Sequence, residues 1–162
     1  MLKIPTLKLK STLLYIKGRH NIPYMNQQNI KEKLIASHST QILILAFAEM
    51  DKPFKDNINM IETALLNLEG KSQEYQRILK ETIIGPEKND WIYPDSIEQS
   101  LRNLTTIPVL EHRPFFYELG PKFQIFCNIV REINYEKGIP YFLLEKFAVD
   151  FKEELSKLGG IK

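Results

Sequence analysis

The chain has 162 residues, 43% apolar and 26% charged, which fits one globular domain, or one domain with an extension, able to bury a core without staples. Its single cysteine, Cys127, excludes an internal disulfide framework and any four-thiolate zinc or iron–sulfur site within one chain. No apolar run approaches the roughly 18 residues of a membrane span and the N-terminus lacks a secretory apolar core, so a reduced, cytoplasmic setting without membrane contact is expected.

The formal charge of +2 is unevenly placed. Residues 1–31 carry Lys3, Lys8, Lys10, Lys17, Arg19 and Lys31 and no acid, whereas the other 131 residues hold 16 basic and 20 acidic side chains. A basic arm on a slightly acidic body suits a polyanion or an acidic protein surface; the plain alternative is a solvated terminus.

In chain order, Thr6 to Gly18 alternates apolar and basic residues and then turns apolar. Periodicity leaves a strand, a docking segment and a short helix all open there. From Gln27 to Met50 the spacing is helical, with "SHST" a dividing point and "ILILAFA" (Ile42 to Ala48) reading as a buried helix. Asp51 with Pro53 predicts a capped helix start, followed by the stripe Ile58, Ile61, Leu65, Leu66 and Leu68 and a stop at Gly70. Ser72 predicts the cap of a further helix through Ile84, closed by Gly85–Pro86, and "GPEKND" reads as a linker.

Next comes "WIYPDSIEQSL", Trp91 to Leu101. Asp95 or Ser96 predicts the cap of a helix to about Leu104, with Glu98 or Gln99 closing a capping box. "TTIPVLEHRP" reads as irregular because of Pro108 and Pro114, and "FFYELG" as a turn or short helix. Pro121 predicts a helix through Tyr135 with Phe123, Phe126, Cys127, Val130 and Ile133 or Asn134 on its apolar stripe. "EKGIP" breaks it, and a last helix runs from Tyr141 to Leu158. The expected fold is all-α: a compact helical domain, with room for a short N-terminal strand or extended arm. Its two parts are an N-terminal helical region with the basic arm (1–85) and a second helical region (91–158).

The familiar catalytic patterns are missing. There is no Walker A loop, no G-x-G-x-x-G and no G-x-S-x-G. His20, His38 and His112 lack ligand neighbours at metal-binding spacing, so no metal is expected. Glu153–Glu154 falls on an amphipathic helix, as a solvated face does, and Cys127 sits where a buried structural thiol would. One cluster stands apart. "EHRPFFYELGPK" groups His112, Arg113 and Lys122 around Phe115, Phe116 and Tyr117. Lys122 falls at a helix start, where free N–H groups favour an anion. Arg113 offers a planar fork for phosphate, and the aromatics offer faces for a base or ribose. Arg131 lies about two and a half turns further along the same helix. The plain alternative makes the aromatics core and the cations surface.

From about Trp91 to Phe151 the chain resembles the C-terminal domain of the archaeo-eukaryotic DNA primase large subunit. The resemblance rests on "YPDSIEQSL", "LEHRPFFYELGPKFQIFCNIVREIN" and "GIPYFLLEKFAVDF". That domain carries an aromatic–Pro–Pro–Cys–Ile helix start, a loop with His and Arg, an arginine opening an apolar helix, and then an amphipathic helix. Its four cysteines hold a [4Fe–4S] cluster. Here Ser96 stands at the first of them, and Cys127 alone cannot replace the set. The resemblance therefore implies a cluster-free relative, such as the small noncatalytic third subunit of some crenarchaeal primases.

In that family the domain makes no phosphodiester bond. It holds the initiating nucleotide and the primer 5′ end against the template while the catalytic subunit does the chemistry, an effect of positioning. The implied role is a noncatalytic primase subunit in DNA replication. Its partners would be the catalytic and large subunits, template DNA and the RNA primer 5′ end, with a nucleoside triphosphate as ligand and no resident cofactor. Lys122 matches the family's helix-opening arginine, and His112 and Arg113 approximate its basic loop. Tyr117 and Arg131 join the nucleotide- and primer-binding set on proximity and chemistry. Two other classes fit the residues: a small helical nucleic-acid-binding subunit of another complex, such as an RNA-guided effector, and a helical protein–protein adaptor.

Overall fold

The computed structural model describes residues 37–79, 96–107 and 109–162, and residues 38–162 form one compact unit. The basic arm (1–31), the linker and Trp91, Tyr93, Pro94 and Asp95 lie outside the described residues, as does the expected helical segment beyond residue 79.

The elements run α1 (His38–Ala46), a 3-10 turn (Phe47–Glu49), β1 (Phe54–Lys55), α2 (Ile58–Glu69), α3 (Gln73–Leu79), α4 (Ile97–Thr106), β2 (Leu110–Arg113), β3 (Phe116–Leu119), α5 (Phe123–Glu136) and α6 (Tyr141–Lys157). The protein is thus predominantly helical but not purely α. Among the described residues the strands form a three-stranded antiparallel sheet in the order β1-β3-β2.

Helix α1 is the hub. Its residues from Ser39 to Ala46 are all buried, because "ILILA" is apolar on every side and cannot face water along any stripe. It packs against α4, α5 and α6, while α2 packs on α6. The polar residues in the hub are paired: Asn134 of α5 donates from Nδ2 to Gln41 Oε1 (3.3 Å) and to the Val130 carbonyl (2.9 Å). Aromatic packing joins the hub to the sheet. Phe47 lies 4.6 Å from Phe54 and 5.7 Å from Phe151, centroid to centroid.

Two expectations need correction. First, the helix expected from Asp51 starts at Ile58, with Asn57 as its cap: Asn57 Oδ1 accepts from the Met60 N–H at 3.1 Å. Asp51 and Pro53 satisfy the local rule for a start, but the tertiary structure overrides it. Phe54 is fully buried, Lys55 donates its N–H to the Gly160 carbonyl, and both residues pair with β3. Second, "FFYELG" and the segment before it form the β2–β3 hairpin rather than a turn and an irregular stretch. Alternation buries Leu110 and Tyr117 on one face and exposes Arg113 on the other.

Of the other local expectations, Leu66 proves exposed rather than part of the α2 stripe, and Glu154, expected on a solvated face, is buried in an ion pair with Lys71 (3.0 Å), while the caps and the α5 stripe hold. Ser72 Oγ accepts from the Tyr75 N–H, and Ser96 Oγ from the Gln99 N–H at 3.2 Å. Helix α5 buries Phe123, Phe126, Cys127, Val130, Ile133 and Asn134, a stripe with 3.6-residue periodicity. Gly138, at φ +96°, makes the turn into α6.

Candidate functional site

The candidate residues lie on the β2–β3 hairpin and on α5. The hairpin register pairs Leu110 with Leu119, Glu111 with Glu118, His112 with Tyr117 and Arg113 with Phe116. Side chains alternate across a sheet, so His112 and Tyr117 share one face with Leu110 and Phe54. Arg113 shares the other with Lys55, Glu111, Phe116 and Glu118.

On the inner face the His112 and Tyr117 rings lie 4.8 Å apart, and His112 Nε2 meets Asp56 Oδ2 at 2.5 Å. Tyr117 is buried against Phe54, 5.9 Å between centroids. Burial first, then the Asp56 charge and its hydrogen bond, push the Tyr117 phenol up to about 12. An inward-facing ring cannot lie flat on a base, so Tyr117 is a core residue here and not a stacking platform.

On the outer face Arg113 is held from both sides. Its Nε donates to Glu118 (3.2 Å) and its Nη2 to Glu111 (3.1 Å). The guanidinium fork that could take a phosphate already holds two carboxylates. Around the hairpin three carboxylates (Asp56, Glu111, Glu118) balance three permanent cations (Lys55, Arg113, Lys162). Lys162 sits over the Phe116 ring at 5.2 Å from its centroid.

The tip of the hairpin is its least ordinary part. A two-residue loop, Pro114–Phe115, joins β2 to β3. Proline fixes φ near −65°, which excludes the primed turns usual in such hairpins. The positive φ then falls on Phe115, at +73°, the place where a type II turn wants glycine. A non-glycine residue in this conformation carries roughly 1–2 kcal/mol of strain. The Phe115 side chain is also 81% exposed, more than any other large apolar residue described. Its carbonyl is fixed from below by the Asp56 N–H at 3.0 Å. Of the three consecutive aromatics, Phe115 is the one whose ring is free to stack.

Lys122 occupies the N-cap position of α5, exposed and without an ion pair among the described residues. Arg131 is nine residues on, about 13 Å along the axis and roughly half a turn around, so the two point to opposite sides of α5. The Arg131 Nε is buried with no hydrogen-bond partner among the described residues, and the guanidinium lies near Cys127. Burial pushes the Cys127 thiol up, so this buried sulfur is held as the neutral thiol. The five residues chosen from sequence therefore do not converge on one nucleotide. Phe115 and Lys122 flank opposite ends of β3, whose four residues span roughly 10 Å at 3.4 Å per residue.

Sequence reasoning missed Asp56 and passed over Phe115 in favour of Tyr117. Asp56 lies 56 residues before His112, and nothing local marks the pair. Phe115 stands out only once the hairpin is known, because its place between β2 and β3 puts an aromatic at a turn position that favours glycine.

Among the described residues no group of three or more His, Cys, Asp or Glu side chains is arranged to hold a metal, and no helix is long and apolar enough to cross a membrane. No known family, curated protein or solved structure matches the chain.

Proposed function

We propose that the chain is a noncatalytic subunit of a DNA primase that binds the initiating nucleotide or primer 5′ end and assists RNA primer initiation. The observation that carries the reading is Lys122: an exposed cation, unpaired among the described residues, at the N-terminus of a 14-residue helix, at the position of the resembled family's helix-opening arginine. The Phe123 N–H donates to the Gly120 carbonyl at 3.1 Å, and the next N–H groups of α5, with the helix dipole and Lys122, make one positive locus suited to a terminal triphosphate. Ser96 supports the same reading. It is buried and caps α4 by a hydrogen bond, fastening by local chemistry the corner that the resembled family fastens with a cluster cysteine.

Arg113, Tyr117 and Arg131 drop out of the nucleotide contact in this reading. Arg113 is neutralised, Tyr117 is buried and Arg131 faces away. His112, on the same face as Tyr117 and held by the Asp56 carboxylate, supports the hairpin rather than the nucleotide contact. The test is binding of the full chain to a short oligonucleotide carrying either a 5′-triphosphate or a 5′-hydroxyl. The triphosphate end binds more tightly, and Lys122→Ala removes the difference. Equal binding of both ends by the unmodified chain would overturn the reading.

A helical adaptor is the second reading, and one feature favours it. At the α5–α6 corner Tyr135 and Tyr141 stack at 4.6 Å and 6° between ring planes, beside Phe142, which is 71% exposed. An apolar corner of this kind suits a protein partner. Such a partner need not displace the nucleotide contact.

A further inference from the structure

Phe115 combines two costs that no contact of its side chain among the described residues offsets. Its backbone is left-handed at φ +73°, and its ring is 81% exposed. Glycine at the same turn position would remove both. The rest of the hairpin holds the tip still: Asp56 binds the Phe115 carbonyl through its N–H and His112 through its carboxylate, and Tyr117 anchors β3 in the core. The ring is thus presented on a rigid, pre-organised support, which limits the entropy lost on contact. Among the described residues the charges around it balance, which gives little net attraction for a phosphate backbone and leaves the ring to offer an uncharged aromatic face.

We infer that Phe115 is a nucleobase-stacking residue, receiving the face of an unpaired or terminal base from the same strand whose end is held at Lys122. This rests on the function proposed above and adds a second, uncharged contact to it. The length of β3 between tip and helix start leaves room for a few nucleotides of single strand. Two behaviours follow. Binding through Phe115 is tolerant of sequence, because every base has a π-face, and its share of the affinity varies little with salt. Binding through Lys122 weakens as salt rises.

The test uses the full chain and single-stranded DNA of eight nucleotides with a 5′-triphosphate and one 2-aminopurine, placed in turn at each position. Stacking quenches the fluorophore where Phe115 meets it. Phe115→Gly is expected to lose the quenching and to bind roughly tenfold or more weakly, with thermal stability unchanged or raised. Phe115→Trp restores both the quenching and the affinity. The inference is overturned if Phe115→Gly binds as the unmodified chain does while Lys122→Ala is weakened, an outcome that leaves the proposed function standing. It is also overturned if Phe115→Gly unfolds the protein, because the ring is then structural. Loss of a protein contact on Phe115→Gly, with DNA binding intact, likewise overturns it. Failure of the unmodified chain to prefer the triphosphate end removes the proposed function and this inference together.

Discussion

Helix α5 and the β2–β3 hairpin are adjacent in sequence and obey local rules to different degrees. In α5 every position of the apolar stripe from Phe123 to Asn134 is buried, and the one polar member, Asn134, has its hydrogen bonds. Pattern and packing agree along this stripe, as they do where a sequence is committed to building a fold, and on the same helix the Arg131 Nε is buried without a hydrogen-bond partner among the described residues. In the hairpin, strand alternation and ion pairing agree up to Arg113, and then Pro114–Phe115 breaks the turn rule with no gain in packing. A local rule broken without structural return is a place to look for function, and the stacking role inferred for Phe115 rests on it.

Four measurements sharpen or break that contrast, beginning with the largest effect. Phe126→Ala removes a ring that is 1% exposed from the centre of the α5 stripe and is expected to cost about 3–5 kcal/mol of unfolding free energy. A cost below about 1 kcal/mol in urea denaturation would show α5 to be loosely packed and weaken its use as a reference.

The second concerns the inner face of the hairpin. The Tyr117 phenol ionises near 10 in the unfolded chain but only at about 12 in the fold. Between these values the unfolded state has released a proton that the folded state retains. The stability from the neutral phenol is therefore complete below pH 10 and is lost as pH rises toward 12, by roughly 2 kcal/mol. Tyr117→Phe flattens that part of the profile. It does not abolish the slope, since burial and Asp150 also push the Tyr75 phenol up. A profile identical to that of the unmodified chain would place Tyr117 outside the core.

Third, Ser96→Ala is expected to cost about 1 kcal/mol by removing the α4 cap. No change in stability would leave the corner fastened by packing alone. Fourth and smallest, Phe115→Gly is expected to stabilise the fold by about 0.5–1 kcal/mol, because relief of strain outweighs the extra backbone freedom of glycine. Destabilisation there would erase the contrast between helix and hairpin.

The two regions also differ in how much of them could be read from the sequence. The α5 stripe, the buried helix at Ile42–Ala48 and the caps at Ser72 and Ser96 are local features, determined by residues three or four apart. The sheet is not local. Phe54 pairs with Tyr117, 63 residues later, and the gain from that pairing moved the start of α2 from Asp51 to Asn57. Each hairpin strand is four residues long, too short for a period of two to stand out beside two prolines. The site was only partly legible for the same reason. The residue types needed for anion and base contact were visible in "EHRPFFYELGPK", but which face each occupies depends on strand register. Register turned Tyr117 inward, tied Arg113 to two glutamates and left Phe115 outside.

The central claim, assistance to primer initiation by holding the 5′ end, is tested most directly by dinucleotide synthesis on a DNA template. The assay uses the primase catalytic and large subunits, with and without this chain. The account predicts that dinucleotide formation depends on the chain and is lost with Lys122→Ala, while elongation of a preformed primer is much less affected. Unchanged initiation when the chain is omitted would contradict it.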